Sequence, residues 1–200
     1  MAATLTKTST LLLTGLQDPE NQAVWLEFDE RYRPVLVGVT RRLGFSSADA
    51  EDIVQQTLAE FSHDYLAGRY DRHRGRLRSW IYGIFRHRVI DRQREAGRRP
   101  KHAGGTAIMR VPDESTFTHT WDAERAAVIL QMALERLRSD GAFGARALDA
   151  FEMFGIRGRP SQLVAEECGM SVDDVYAAKY RVGEALKLLV HDIEAAYDAE

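Results

Sequence analysis

From Gln22 to Leu66 the apolar residues recur every three or four positions, and that one pattern restricts this part of the chain to helix. Trp25, Phe28 and Tyr32 share one face of a first helical segment. Pro34 lacks an N–H and crowds the preceding turn, so it is expected to start a new helix or kink the old one. Val35, Leu36, Val39 and Leu43 continue the stripe as far as Gly44. Ser46-x-x-Asp49 then reads as a capping signal. After it, Val54, Leu58, Phe61 and Tyr65 follow at spacings of four, three and four. The opposite face of that helix carries Asp49, Asp52, Gln56 and Glu60. Alternating β-branched runs are few, so the expected fold class is all-α.

A turn, Tyr70 to Gly75, separates this helix from one running from about Leu77 to Arg94. The latter mixes an apolar stripe (Trp80, Ile81, Ile84, Phe85, Val89) with Arg78, Arg86, Arg88, Arg92 and Arg94. From Gly97 to about Thr120 the periodicity vanishes. Pro100, Gly104-Gly105 and Pro112 mark a flexible linker there. Helical pattern resumes near Trp121 with Val128, Ile129, Met132 and Leu137, and again from Phe143 to Phe154. The expected layout is two small helical domains, 22–96 and 122–192. They are joined by a linker over 97–121, with an N-terminal extension over 1–21 and a tail over 193–200.

Charge is distributed unevenly along this layout. Between Arg69 and His102 there are twelve Arg or Lys against three acids, Asp71, Asp91 and Glu95. The rest of the chain holds 15 basic and 27 acidic residues. Ordinary surfaces interleave the two signs. A concentrated basic segment in an acidic protein points to a polyanion site, because each neutralised phosphate releases condensed counterions. No stretch approaches the apolar length a bilayer demands, and Leu11-Leu12-Leu13 is too short for a signal-peptide core. The single cysteine suits a reducing compartment. The expected localisation is cytoplasmic, with no membrane partner.

The most specific local signal is Ala165-Glu-Glu-Cys-Gly169-Met-Ser-Val-Asp-Asp-Val175. Its spacing is that of a helix-turn-helix, with Gly169 supplying a left-handed turn. Ser171 is placed to cap the second helix, with Asp174 three residues on. Val175, Ala178, Val182, Leu186 and Leu189 form an inward stripe. Tyr176, Ala177 and Tyr180 point outward, where they can meet base edges. Lys179, Arg181 and Lys187 flank them as phosphate contacts. Ser171 completes this set of candidate DNA-binding residues. Asp173 and Asp174 oppose phosphate at the helix start, so the isolated domain should bind duplex DNA weakly.

Together these pieces resemble the extracytoplasmic-function group of bacterial RNA polymerase sigma factors, in a planctomycete-type variant. The resemblance covers roughly Gln22 to Val190, apart from the linker. Asp49-Ala-Glu-Asp-Ile-Val-Gln-Gln resembles the family's acidic helix. Leu77-Arg-Ser-Trp-Ile-Tyr-Gly-Ile-Phe-Arg-His-Arg-Val-Ile-Asp91 is similar to its promoter-melting helix. Gly158-Arg-Pro and Val164 to Val182 resemble its helix-turn-helix. His87 stands where the family usually has asparagine, and Cys168 replaces a usual leucine. The recognition helix is less basic than is common.

The resemblance implies a sigma region 2 helical bundle followed by a sigma region 4 helix-turn-helix that reads the minus-35 element. It implies docking through Asp49, Asp52, Gln55, Gln56 and Glu60 on the coiled coil of the polymerase's largest subunit, with the flap as a second polymerase contact. It assigns the minus-ten element to Tyr70, Arg72, His73, Arg74, Arg76, Arg78, Tyr82, Arg86, His87 and Arg88, with a flipped base received by the Tyr70–Arg76 loop. From the residues themselves, aromatic platforms beside a cationic track suit unpaired bases. Trp80 and Phe85 share the apolar stripe and read as core; Tyr70, Tyr82 and the arginines read as the binding surface.

The implied partners are core RNA polymerase and promoter DNA, and an anti-sigma factor stays open as a further one. A catalytic role is not expected. The six histidines are scattered without metal-ligand spacing, Cys168 reads as buried with no histidine near it, and no phosphate loop is present. No cofactor and no metal are expected. Two other readings remain open: a stand-alone helix-turn-helix regulator, and a degenerate sigma-like interaction protein.

Overall fold

The computed structural model describes residues 9–98 and 111–197. Every regular element among them is helical, as the spacing predicts. The elements are α1 (Ser9–Gly15), α2 (Gln22–Arg42), α3 (Ser47–Leu66), a 3-10 turn (Arg72–Arg74), α4 (Leu77–Arg98), α5 (Glu114–Ser139), α6 (Ala145–Ala150) running into a π-helical turn (Phe151–Ile156), α7 (Ser161–Cys168) and α8 (Val172–Tyr197). The chain divides into two compact units after Val128, within α5. No helix among the described residues is long and apolar enough to cross a membrane.

The first unit is built on α2, α3 and α4. Phe28 and Phe61 stack at 4.5 Å between ring centres, and Tyr32, Leu36, Val54, Ile81 and Phe85 fill the space around them. Ser46 caps α3, its hydroxyl accepting from the Asp49 N–H at 3.1 Å. α2 runs unbroken through Pro34. Pro34 is exposed, while Arg31, Tyr32, Val35 and Leu36 on either side of it are buried. Fully burying one large apolar side chain is worth about 1.5–3 kcal/mol, so three of them together offset a proline cost of about 3 kcal/mol.

Two segments expected to lie outside this unit belong to its core. In the N-terminal extension, Leu12 and Leu13 of α1 and Leu16 just after it are buried, and the Tyr65 hydroxyl donates to the Leu13 carbonyl. In the expected linker, residues 99–110 lie outside the described residues, but α5 begins at Glu114, before its end. The Asp113 carboxylate accepts from the Thr116 N–H at 2.7 Å and so opens the helix. Phe117 and Trp121 are buried in the first core. The early start has a physical cause: Phe117 packs on Phe85, and Trp121 packs on Tyr32 and Phe117. Arg78 pairs with Asp122 at 2.9 Å, and Glu124 pairs with Arg42 where Gly38 leaves room for its carboxylate.

The second unit packs the remainder of α5 with α6, α7 and α8. Ile129, Ala133, Leu137, Leu148, Phe151, Val182 and Leu186 form one cluster, and Ala150, Val164, Ala165, Val175 and Ala178 a second. The inward stripe of α8 is buried as expected, with Leu189 half-buried. Residues 193–197, placed in a tail by sequence, continue α8, because Ile193 and Tyr197 are buried in the same cluster. The expected Cys168 burial is only partial. Burial and the neighbouring Asp149 and Glu167 carboxylates push its thiol up, away from the reactive thiolate.

Candidate nucleic-acid interface

α3 and α4 of the first unit carry most of the residues singled out, and their packing sorts them. The Arg92 guanidinium donates through Nε to Asp49 at 2.9 Å and through a second nitrogen to the same oxygen. Arg88 donates through Nε to Glu60 at 2.8 Å. Asp49 also accepts from the Ser46 hydroxyl at 2.8 Å. Hydrogen bonding to Asp49 raises the already high pKa of Arg92. Asp49 and Glu60, expected to meet a partner, and Arg88, expected to meet DNA, therefore tie α3 to α4. What remains outward on α3 is Asp52, Gln55 and Gln56, all exposed.

The basic segment divides the same way. Arg78 is engaged with Asp122. Arg72, His73, Arg74 and Arg76 are exposed in the loop before α4, and Arg86 and His87 are exposed on α4. Among the described residues Arg74, Arg76 and Arg86 make no ion pair. The part of the segment formed by Arg99, Lys101 and His102 lies outside the described residues.

The loop is shaped by Asp71, whose carboxylate accepts from the His73 N–H at 2.9 Å. Tyr70 stacks on Trp80 at 5.0 Å, with the planes 25° apart, and Trp80 in turn meets Phe61 at 5.1 Å. Trp80 is half-buried, so it backs Tyr70 from the core side. Tyr82 corrects an expectation. Its ring packs on Phe117 at 5.0 Å and its hydroxyl donates to the Pro112 carbonyl at 2.9 Å. Burial pushes its hydroxyl pKa up. Tyr82 is a wedge under α5 and not an open platform. Nothing local in the sequence separates Tyr70 from Tyr82, because the partner of Tyr82 lies 30 residues away.

In the second unit the expected turn takes the anticipated geometry. Gly169 ends α7 with φ 60° and ψ 48°, a left-handed conformation that glycine adopts without strain. Ser171 and Asp174 form a reciprocal box: the Ser171 hydroxyl accepts from the Asp174 N–H at 3.1 Å and donates to the Asp174 carboxylate at 2.7 Å. The Ser171 side chain is thus spent on capping and is not a free phosphate donor. Tyr176, Ala177, Lys179, Tyr180, Arg181 and Lys187 are all exposed on α8. Tyr176 meets Phe154 edge-on at 5.1 Å, and the Lys179 ammonium lies 4.8 Å from the same ring. Lys187 pairs with Glu184 at 2.6 Å. Tyr180, 72% exposed, is the most open aromatic on this face.

The Ser171–Asp174 box carries a testable consequence. Hydrogen bonds from Ser171 hold the Asp174 carboxyl below its ordinary value. A lowered folded-state pKa gives stability that is fully present above the unfolded value of about 3.9 and is lost as pH falls through the folded one. Ser171→Ala removes the hydroxyl but leaves the Ser171 N–H donating to the same carboxylate at 3.3 Å, so the Asp174 titration is expected to move up part of the way toward its ordinary value. The substitution should also lower the melting temperature at neutral pH by roughly 2–8 °C, the range for losing a helix cap in domains of this size. NMR titration of the Asp174 carboxyl and thermal melts check both; an unmoved titration removes the box from the account.

Residues 28–99 match the Sigma-70 region 2 family. The match begins in α2, covers α3, the 3-10 turn and α4, and spans a little over a third of the chain. No curated protein matches the chain. The first unit thus contains a segment similar to Sigma-70 region 2.

Proposed function

We propose that the chain is an extracytoplasmic-function sigma factor that directs core RNA polymerase to specific promoters and takes part in opening them, with no catalysis of its own. The observation that carries this reading is the Sigma-70 region 2 match lying on α2, α3 and α4 of a single unit. On that unit the exposed strip of Asp52, Gln55 and Gln56 serves to dock on the coiled coil of the largest subunit. Tyr70, the exposed cations Arg72, Arg74, Arg76 and Arg86, and the exposed His73 and His87 serve to hold the opened minus-ten strand, because an aromatic platform beside a cationic track accepts unpaired bases regardless of sequence.

The second unit is read as the minus-35 reader. Its support is the left-handed Gly169 between α7 and α8 and the outward Tyr176, Ala177 and Tyr180. Lys179 and Arg181 hold phosphates beside them. Asp173 and Asp174 weaken this unit's own hold on DNA, and a physical tether to the polymerase-bound unit compensates by raising the effective concentration. In the cytoplasm the chain would act only as part of the holoenzyme. Co-purification with core RNA polymerase followed by run-off transcription tests the reading: stable association and promoter-dependent transcripts are expected. Tight duplex binding without polymerase would favour a stand-alone regulator, and association without transcripts would favour a sigma-like interaction protein.

A further inference from the structure

Between α6 and α7 the second unit carries the π-helical turn Phe151–Ile156. Such single π turns are rare and gather at functional sites. The Arg157 N–H reaches back five residues to the Glu152 carbonyl at 2.9 Å, and the Arg159 N–H donates to the Met153 carbonyl at 3.0 Å. In an α-helix, side chains three apart lie on one face. Here Phe151 is buried in the cluster of Val182 and Leu186, while Phe154 packs half-buried against the cluster of Val175 and Ala178. Phe154 thereby reaches the outward face of α8. The Tyr176 ring meets it edge-on at 5.1 Å with the planes 86° apart, and the Lys179 ammonium lies 4.8 Å from its centre. Both distances fall within the ranges of T-shaped ring pairs, about 4.5–7 Å, and of cation–π contacts, within about 6 Å. Lys179 makes no ion pair among the described residues, and the ring steadies its head group.

We infer that Phe154 is a positioning residue for readout of the minus-35 element: its ring sets the direction of the Tyr176 side chain, which reads one base pair, and of the Lys179 ammonium, which holds the adjoining phosphate. The inference rests on the minus-35 reading of the second unit and adds to it a residue that lies outside α7 and α8. Tyr176 and Lys179 stand three apart on one face of α8, and both are exposed. An exposed side chain with no backing group samples several rotamers, and DNA binding then has to order it. Phe154 orders two of them before DNA arrives. Leucine at 154 would fill much of the same space but offer no ring face to the ammonium and no partner for an edge-on ring. The turn itself keeps the ring in place. A Cβ at Gly155 would come 3.1 Å from the Phe151 ring, and the Arg159 guanidinium, paired with Glu167 at 2.6 Å, lies 3.1 Å from the Met153 sulfur. Tyr180 is the contrast, being 72% exposed with no ring against it among the described residues.

The test uses holoenzyme reconstituted from the full chain and core polymerase, transcribing a duplex library randomised across the promoter region, with transcripts sequenced. Tyr176→Ala marks the position of the minus-35 element that Tyr176 reads, and Tyr180→Ala marks the one that Tyr180 reads. Phe154→Leu is expected to lower the base preference at the Tyr176 position by about two- to tenfold, the range that ordering one such side chain costs. The preference at the Tyr180 position should stay as in the wild type. Phe154→Tyr keeps the ring and should restore the Tyr176 preference. Because Phe154 acts through the other two side chains, adding Phe154→Leu to Tyr176→Ala with Lys179→Met should cost nothing further there. If the leucine variant does not fold, Phe154→Met, which tolerates irregular packing, takes its place with the same expectations. Preference at the Tyr176 position unaltered by Phe154→Leu overturns the inference and leaves the minus-35 reading standing. So does a lower melting temperature with both positions weakened evenly, which is what a purely structural ring would give. If Tyr176→Ala and Tyr180→Ala shift no preference, the minus-35 reading and this inference fall together.

Discussion

Asp52→Lys combined with Gln56→Lys is expected to abolish association with core RNA polymerase without changing helical content or melting temperature. Both side chains are exposed on α3, while its buried face carries Ile53, Val54, Leu58 and Phe61. Neither touches the two ion pairs that tie α3 to α4, since those use Asp49 and Glu60. Position 52 also lies beyond the first turn of α3, which starts at Ser47, where the helix dipole no longer penalises a cation. Folding is therefore indifferent to the change. Docking is not, because two new cations placed against a surface that receives an acidic strip cost several kcal/mol of like-charge contact. At about 1.4 kcal/mol per factor of ten, a loss of at least about 100-fold in affinity follows. Co-purification and a titration by fluorescence anisotropy read it out. Unaltered affinity removes α3 as the docking face. By contrast, Asp49→Ala or Glu60→Ala should chiefly lower the melting temperature, because each removes one of the two ion pairs that join α3 to α4.

The helical architecture was legible because it rests on local rules. The three-and-four spacing of α2, α3, α4 and α8, the Ser46 and Ser171 caps and the glycine at 169 are each decided within a few residues. The division of labour among charged residues was not legible, because it is decided by partners far away in sequence. Arg88 meets Glu60 across 28 residues, and Arg92 meets Asp49 across 43. A periodicity argument places all four outward, and only the packing of α3 on α4 shows that they face one another. The same holds for Tyr82 and Tyr70, two half-exposed tyrosines near one end of a helix that differ only in what covers them. Phe117 and Trp121 were legible in principle. They stand four apart, and Pro112-Asp113 before them is a helix-start signal. The prolines and glycines from Pro100 to Pro112 extend the linker signal over them. α1 carried a leucine run whose burial no local pattern separates from a short exposed turn.

Replacing Arg74, Arg76 and Arg86 together by alanine is expected to leave the fold and polymerase association intact but to suppress promoter opening and flatten its salt dependence. These three are exposed cations without an ion pair among the described residues. Each should neutralise one phosphate of the opened strand. For single strands the slope of log affinity against log salt changes by about 0.7 per phosphate contact, so the triple variant should lose roughly two units of slope. The loss should be largest at low salt, where counterion release contributes most, and the variant and wild-type curves should converge as salt rises. Arg88→Ala with Arg92→Ala supplies the opposing case. Those side chains already spend their charge on Glu60 and Asp49, so the slope should stay close to wild type while the melting temperature falls. Permanganate reactivity of unpaired thymines, measured across salt concentrations on promoters recovered from the randomised library, separates the two variants. If the Arg88 and Arg92 pair carries the slope and the exposed triple does not, then the ion pairs between α3 and α4 must open when DNA binds. The acids they release would then face the polymerase, making the two surfaces of this unit parts of one switch instead of independent contacts.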